Sequence, residues 1–207
     1  DSDESRGLGD VYKRQENKYS NLFVGTINER FSLSFDILSG LEHDLYYVIE
    51  HCDFDWEKSQ LIKSEYIQGF DDVKIDNYSS RFNTYQIYTN YKISFPNSNT
   101  SFKKSGNYII KIVDEYGDEI FRRKFILYEN LVTVQTEIKR SREIEFINEK
   151  QVVNFEINPI NIQLNNPSKT VKVKVFKNNE LNYSIDNIKP QYNICLLYTS
   201  DAADDPA

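Results

Sequence analysis

Methionine is absent from this chain, tryptophan occurs once, and cysteine and histidine occur twice each. Cys195 lies in a C-terminal tract expected to be of separate origin, which leaves Cys52 as the one thiol of the body of the chain. A single thiol builds neither a disulfide framework nor a four-cysteine zinc site. An excess of one charge is also missing. The chain has 25 Lys and Arg against 32 Asp and Glu, a formal net charge of −7. Seven of those acids and three of those bases fall in the terminal tracts, so the body carries only −3. That near-balance gives no electrostatic footprint for nucleic acid and no acidic interaction tail. No run is long and apolar enough to cross a bilayer as a helix.

Both termini read as foreign. Residues 5–15, SRGLGDVYKRQ, match one frame of the adapter used in transposon-based DNA library preparation, ending GAT GTG TAT AAG AGA CAG. Residues 195–205, CLLYTSDAADD, match the reverse-complement adapter. Residues 1–15 and 195–207 are therefore expected to be adapter-derived and are set aside from fold reasoning. The native insert, Glu16 to Ile194, is expected to begin and end inside a longer gene. The lack of a visible signal peptide then decides nothing about export.

What remains alternates with period 2. Phe31, Leu33, Phe35 and Ile37 interleave with Ser32, Ser34 and Asp36; Tyr91, Ile93 and Phe95 interleave with Asn90, Lys92 and Ser94. Val171, Val173 and Val175 interleave with Lys172 and Lys174. Successive side chains of a strand point to opposite faces, so each run predicts one buried and one wetted face of an antiparallel sheet. Further strands are expected at 19–25, 44–51, 107–114, 119–128, 131–139, 151–158 and 181–188. Turn chemistry separates them at Ser39-Gly40, Pro96-Asn97-Ser98-Asn99, Tyr116-Gly117-Asp118, Asn165-Asn166-Pro167 and Asn178-Asn179. Helix is confined to about one turn within Ser59–Tyr66. The expected fold class is all-β: an immunoglobulin or fibronectin-III-like β-sandwich over 16–129, with about seven strands, then a truncated β-rich domain over 130–194.

Ser105-Gly106-Asn107-Tyr108 opens one of these strands. Immunoglobulin-like sandwiches place a tyrosine at this corner, its hydroxyl bonded back to the backbone, two residues before the second core cysteine. Here that later position is Ile110, so an apolar pair is expected in place of the disulfide.

Candidate chemistry centres on His51-Cys52-Asp53-Phe54-Asp55-Trp56. The four polar residues are all of metal-ligand types, yet consecutive residues alternate across a sheet and do not converge, and His43 is the one other histidine. The same alternation separates Cys52 from His51 as a nucleophile and base. The reading preferred here is a strand end, with His51 and Cys52 part-buried, Asp53 and Asp55 capping a turn, and Trp56 anchoring the loop. Carboxylates are plentiful, but abundance alone does not make a glycosidase pair. No nucleophile elbow, phosphate loop or zincin motif is present. Tyr46, Tyr47, Trp56, Tyr66, Tyr78, Tyr85, Tyr88 and Tyr91 exceed what one sheet interior needs; core packing is the preferred place for any single Tyr, in an interior poor in Leu and devoid of Met, and the remaining rings are free for binding.

Several runs taken together are specific: HCDFDW (51–56), SEYIQGF (64–70), FNTYQIYTNYKISFPN (82–97) and KSGNYIIKIVD (104–114). They resemble the N-terminal domain of the type IX secretion system plug protein family. Arg122-Arg123-Lys124-Phe125 with the strand at Leu131 resembles the passage into that family's next domain, and 153–167 with Ile188-Lys189-Pro190 is similar but less distinctive. The resemblance implies a periplasmic, non-catalytic protein at the outer membrane. Its partner would be the large translocon barrel, whose periplasmic mouth it closes; no cofactor, metal, nucleic acid or small-molecule substrate is expected. It also marks His51, Cys52, Asp53, Asp55, Trp56, Tyr66, Phe82, Asn83, Tyr85, Tyr88 and Tyr91 as contact or structural residues, with Gly106 and Tyr108 at the corner. The alternative is a carbohydrate-binding or adhesin-like module of an exported protein.

Overall fold

A computed structural model describes residues 22–39, 41–81, 85–140, 144–146, 148, 151–160, 162–177, 180–186 and 188. Both terminal tracts, Gly40, Phe82, Asn83 and the Asn178-Asn179 turn fall outside them. Chain contacts divide the molecule into two compact units, with the split between Glu129 and Asn130; Phe176–Ser184 groups with the first.

Up to Glu129 the described residues form ten strands: β1 Phe23–Thr26, β2 Phe31–Ile37, β3 Tyr46–Cys52, β4 Ile67–Gly69, β5 Val73–Lys74, β6 Tyr78–Arg81, β7 Tyr88–Phe95, β8 Thr100–Phe102, β9 Gly106–Val113 and β10 Glu119–Tyr128. One helical turn, α1 (Lys63–Tyr66), precedes β4. The larger sheet runs β1-β10-β9-β3-β5; β2-β7-β6 and β4-β8 form smaller sheets. The trios β2-β7-β6 and β3-β9-β10 correspond to the B-E-D and C-F-G strands of an immunoglobulin sandwich. β1 adds to β10 in parallel, and all other pairings are antiparallel.

Alternation places the core. Leu33, Phe35 and Ile37 of β2 pair across the ladder with Ile93, Tyr91 and Thr89 of β7, and all six are buried. On the facing sheet, Tyr47, Ile49 and His51 of β3 pair with Ile112, Ile110 and Tyr108 of β9. Rings bridge the two layers: Phe31 to Phe125 at 5.3 Å, Phe35 to Phe121 at 4.9 Å edge-on, and Tyr47 to Phe95 at 5.4 Å edge-on. Such geometries add about 0.5–1.5 kcal/mol per pair to the burial of the rings themselves. Aromatics thus fill the interior that methionine does not.

The second unit is dominated by a ribbon of β11 (Val132–Arg140) and β12 (Gln151–Pro159). Its register pairs Val134 with Ile157, Thr136 with Phe155 and Ile138 with Val153 on one face. Gln135 with Glu156 and Glu137 with Asn154 lie on the other. The apolar face is largely open, with Val134, Ile138 and Val153 all exposed. Two hydrogen-bonded strands alone are marginal in water.

The expected strand at Val171–Val175 is overturned. Residues 171–174 carry no strand; β13 begins only at Val175 (Val175–Lys177) and pairs with β14 (Glu180–Ile185). A turn of helix, α2 (Pro167–Thr170), precedes them, entered through Asn166 at φ 52. Alternating valines define a strand only where a partner supplies the ladder. Four short strands, β4, β5, β6 and β8, were not expected. They hold two to four residues each, too few to show a period.

Candidate functional site

The predicted motif closes one end of the sandwich. Tyr108 is fully buried at the start of β9, and its hydroxyl donates to the carbonyl of Lys104 at 2.5 Å. This is the corner bond expected for an immunoglobulin-like domain, and burial drives the phenol's pKa far upward. Its ring stacks on Phe125 at 5.3 Å and meets His51 edge-on at 5.0 Å. Ile110, at the place of the absent cysteine, is buried in the same core.

His51 is held from both ring nitrogens. Nε2 lies 3.3 Å from the carbonyl of Ser105, which can only accept, so Nε2 carries the proton. Nδ1 then accepts from the Ser59 hydroxyl at 2.9 Å. Burial lowers the pKa below 6.5, the Ser105 bond opposes this, and the Lys104 charge lowers it further. The ring is therefore neutral. Gly106 leaves room for it: at φ 151, a Cβ there would stand 2.3 Å from Nε2.

The five residues after Cys52, Asp53 to Glu57, form a closed loop. Asp53 Oδ1 accepts from the amides of Asp55 at 2.9 Å and Glu57 at 3.0 Å. Asn107 donates to the Asp53 carbonyl at 2.7 Å, tying the loop to β9. Trp56 adopts φ 68, an uncommon backbone for a bulky residue, and its ring carries Lys124 Nζ 4.8 Å from its centroid. Cys52 is buried, and burial first, then Glu50 and Asp53, raises its thiol pKa. A protonated, enclosed thiol is a poor nucleophile. His51 and Cys52, expected to be part-buried, are buried outright, at 8% and 2% exposure. Among the described residues no group of three or more His, Cys, Asp or Glu could hold a metal ion.

The surplus aromatics divide between the core and the surface. Tyr47, Tyr66 and Tyr91 are core residues. The Tyr66 hydroxyl donates to the Ile49 carbonyl at 3.3 Å, and the Tyr91 hydroxyl donates to the His43 carbonyl at 3.0 Å while accepting from the His43 amide at 2.8 Å. Tyr46, Trp56 and Tyr88 are half-buried, and Tyr78 and Tyr85 are exposed. Phe82 and Asn83 lie outside the described residues.

The open surface lies at the other end. The seven residues of β3 put roughly 20 Å between the motif and this end. There the β2–β3 loop and the β9–β10 turn border a half-open cleft of about 270 Å³. Ile37, Leu45 and Ile120 form its floor; His43, Asp44, Asp114, Glu115 and Tyr116 form its rim. Both loops are fixed from within. Asp114 Oδ1 accepts from the amides of Tyr116 and Asp118 at 2.9 Å each, and Gly117 turns the chain at φ 86. The Tyr91 clamp holds His43, the Thr89 hydroxyl donates to Leu41 at 3.2 Å, and Ser39 Oγ meets His43 Nε2 at 2.8 Å. Tyr116 stands 82% exposed, its hydroxyl paired with Glu115, which raises the phenol's pKa. In the sequence this region reads only as strand ends and turns, because its residues are about 70 positions apart.

A family model described as "Type 9 secretion system plug protein 1st domain" matches residues 10–129. Among solved structures, the chain is similar to a hypothetical protein from Parabacteroides merdae ATCC 43184, with 28% identity and a TM-score of 0.77. The similarity covers 83% of this chain and 44% of that one, so the chain spans less than half of that protein's length. No curated protein matches.

Proposed function

We propose a docking role for this chain, on the premise that it belongs to the type 9 secretion system plug protein family. The family ties the chain to type IX secretion. We infer that it acts on the periplasmic side of the outer membrane, seats against the translocon barrel, and closes its mouth until cargo and the shuttle subunit arrive. It does so as a binding surface, without chemistry of its own.

The family match carries this reading, because it runs over the complete sandwich, β1 through β10, rather than over one motif. The physical character of that unit supports it. A plug must hold its shape against a barrel rim, and this core is a web of interlocked rings pinned by the Tyr91 and Tyr108 hydroxyls. His51, Asp53 and Tyr66, the polar residues that sequence alone singles out, serve internal hydrogen bonds.

Co-purification tests it. Tagged protein drawn from cells that carry the type IX translocon should bring the barrel with it, more so when the shuttle subunit is deleted. Recovery of the protein alone, or with polysaccharide, would leave the family assignment standing and remove the plugging role.

A further inference from the structure

We propose that the cleft between the β2–β3 loop and the β9–β10 turn receives an arginine side chain presented by a protein partner. The identity of that partner rests on the docking reading above; the chemistry of the cleft does not.

The lining combines three features that an arginine uses at once. Its floor is apolar, with Ile37 and Leu45 buried beneath it, and suits the methylene stem of a long side chain. Its rim carries the carboxylates of Asp44, Asp114 and Glu115 and neither lysine nor arginine. Lys74 sits nearby but is paired with Asp44 at 2.7 Å, leaving the balance acidic. Tyr116 lines the cleft and is largely exposed, and a guanidinium stacks on an aromatic face more readily than a strongly hydrated ammonium does. An anionic ligand meets the wrong charge here, and a volume of about 270 Å³ fits a single side chain rather than a folded segment.

The walls are also preformed. Asp114 builds its own turn, and Tyr91 grips both the amide and the carbonyl of His43. A site that needs little ordering on binding keeps more of its interaction free energy as affinity. The immunoglobulin comparison agrees, since the loops at this end correspond to the B–C and F–G loops that such domains use for recognition.

The test is an amide chemical-shift titration of the whole chain with an end-blocked Gly-Arg-Gly peptide, with Gly-norleucine-Gly as control. Saturable shifts are expected at Asp44, Leu45, Glu115 and Tyr116 with the arginine peptide and not with the control. Glu115→Gln should weaken them roughly three- to fivefold, in line with a solvent-facing ion pair. Equal response to norleucine, no saturable response, or a neutral oligosaccharide binding there unaffected by Glu115→Gln would each overturn the assignment. A second arm repeats the co-purification with Glu115→Gln/Tyr116→Ala. Reduced recovery of the barrel is expected; undiminished recovery overturns the cleft as the docking point and leaves the plugging role intact. If the unmodified chain recovers no barrel, the plugging role fails, and the peptide titration still decides the cleft.

Discussion

The two ends of the sandwich use their polar residues in opposite ways. At the corner end, His51, Ser59, Asp53 and Asn107 are linked to one another's backbones or side chains, and Tyr108 is sealed behind them. At the loop end, Glu115 and Tyr116 pair at the surface beside an open cleft with an apolar floor. The lone cysteine of the body, the tryptophan and one histidine mark the first end; at the second, the other histidine sits among common residues. A histidine, a lone cysteine and a tryptophan close together therefore signal a demanding piece of architecture here. The surface available to a partner is assembled from loop residues that the fold, not the sequence, brings together.

The comparison breaks if the corner proves dispensable. Tyr108→Ala removes a fully buried ring that touches His51, Phe102 and Phe125, and should destabilise the fold by about 3–5 kcal/mol in urea unfolding. Tyr108→Phe keeps the ring and loses the bond to Lys104, for about 1 kcal/mol. Gly106→Ala comes next. Its methyl group would press on the His51 ring, which Ser59 and Tyr108 hold in place, at a cost of about 2–3 kcal/mol. If Gly106→Ala unfolds at the same denaturant concentration as the unmodified chain, His51 is not locked as described.

His51 sharpens the contrast through pH. Its pKa is lowered by burial, so the unfolded chain takes up the proton first as pH falls below 6.5. The stability that the neutral ring contributes is complete above that value. It is lost progressively as pH drops through the window down to the folded pKa, then levels off. His51→Gln should be less stable at neutral pH and should flatten the slope in that window; an unchanged slope would assign the titration elsewhere. Trp56→Ala ranks lower, at about 1 kcal/mol, because it removes a half-buried ring and its Lys124 contact but no core volume. A loss comparable to that of Tyr108→Ala would show that the loop is part of the core.

Legibility in the sequence followed the same division. β2 and β7 were readable because Phe31, Leu33, Phe35, Ile37 and their partners alternate over a full strand length. The Tyr108 corner was readable because glycine before a buried tyrosine is a local requirement of that turn. β4, β5, β6 and β8 were not, since pairings such as Ile67 with Phe102 depend on residues far away in the chain. Val171 and Val173 misled because β propensity says nothing about whether a partner strand exists. Which tyrosines enter the core is hidden for a related reason. A tyrosine is buried where a partner can meet its hydroxyl, and those partners, the Thr100 hydroxyl for Tyr47 and the Ile49 and His43 carbonyls for Tyr66 and Tyr91, are assembled only in the folded chain.

The smallest effect on stability is the most informative for function. Tyr116→Ala takes away a ring that is 82% exposed, at a turn whose geometry is set by Asp114 and Gly117. Unfolding should move by no more than about 0.5 kcal/mol, as for other surface positions. Recovery of a partner should nevertheless drop, because the ring forms part of the cleft rim. Calorimetry and co-purification on the same preparation separate the two quantities. A large stability loss would make Tyr116 a second structural tyrosine and erase the distinction between the ends. A silent substitution in both assays would leave the cleft without a role and return the search for the docking surface to the exposed rings of Tyr78 and Tyr85.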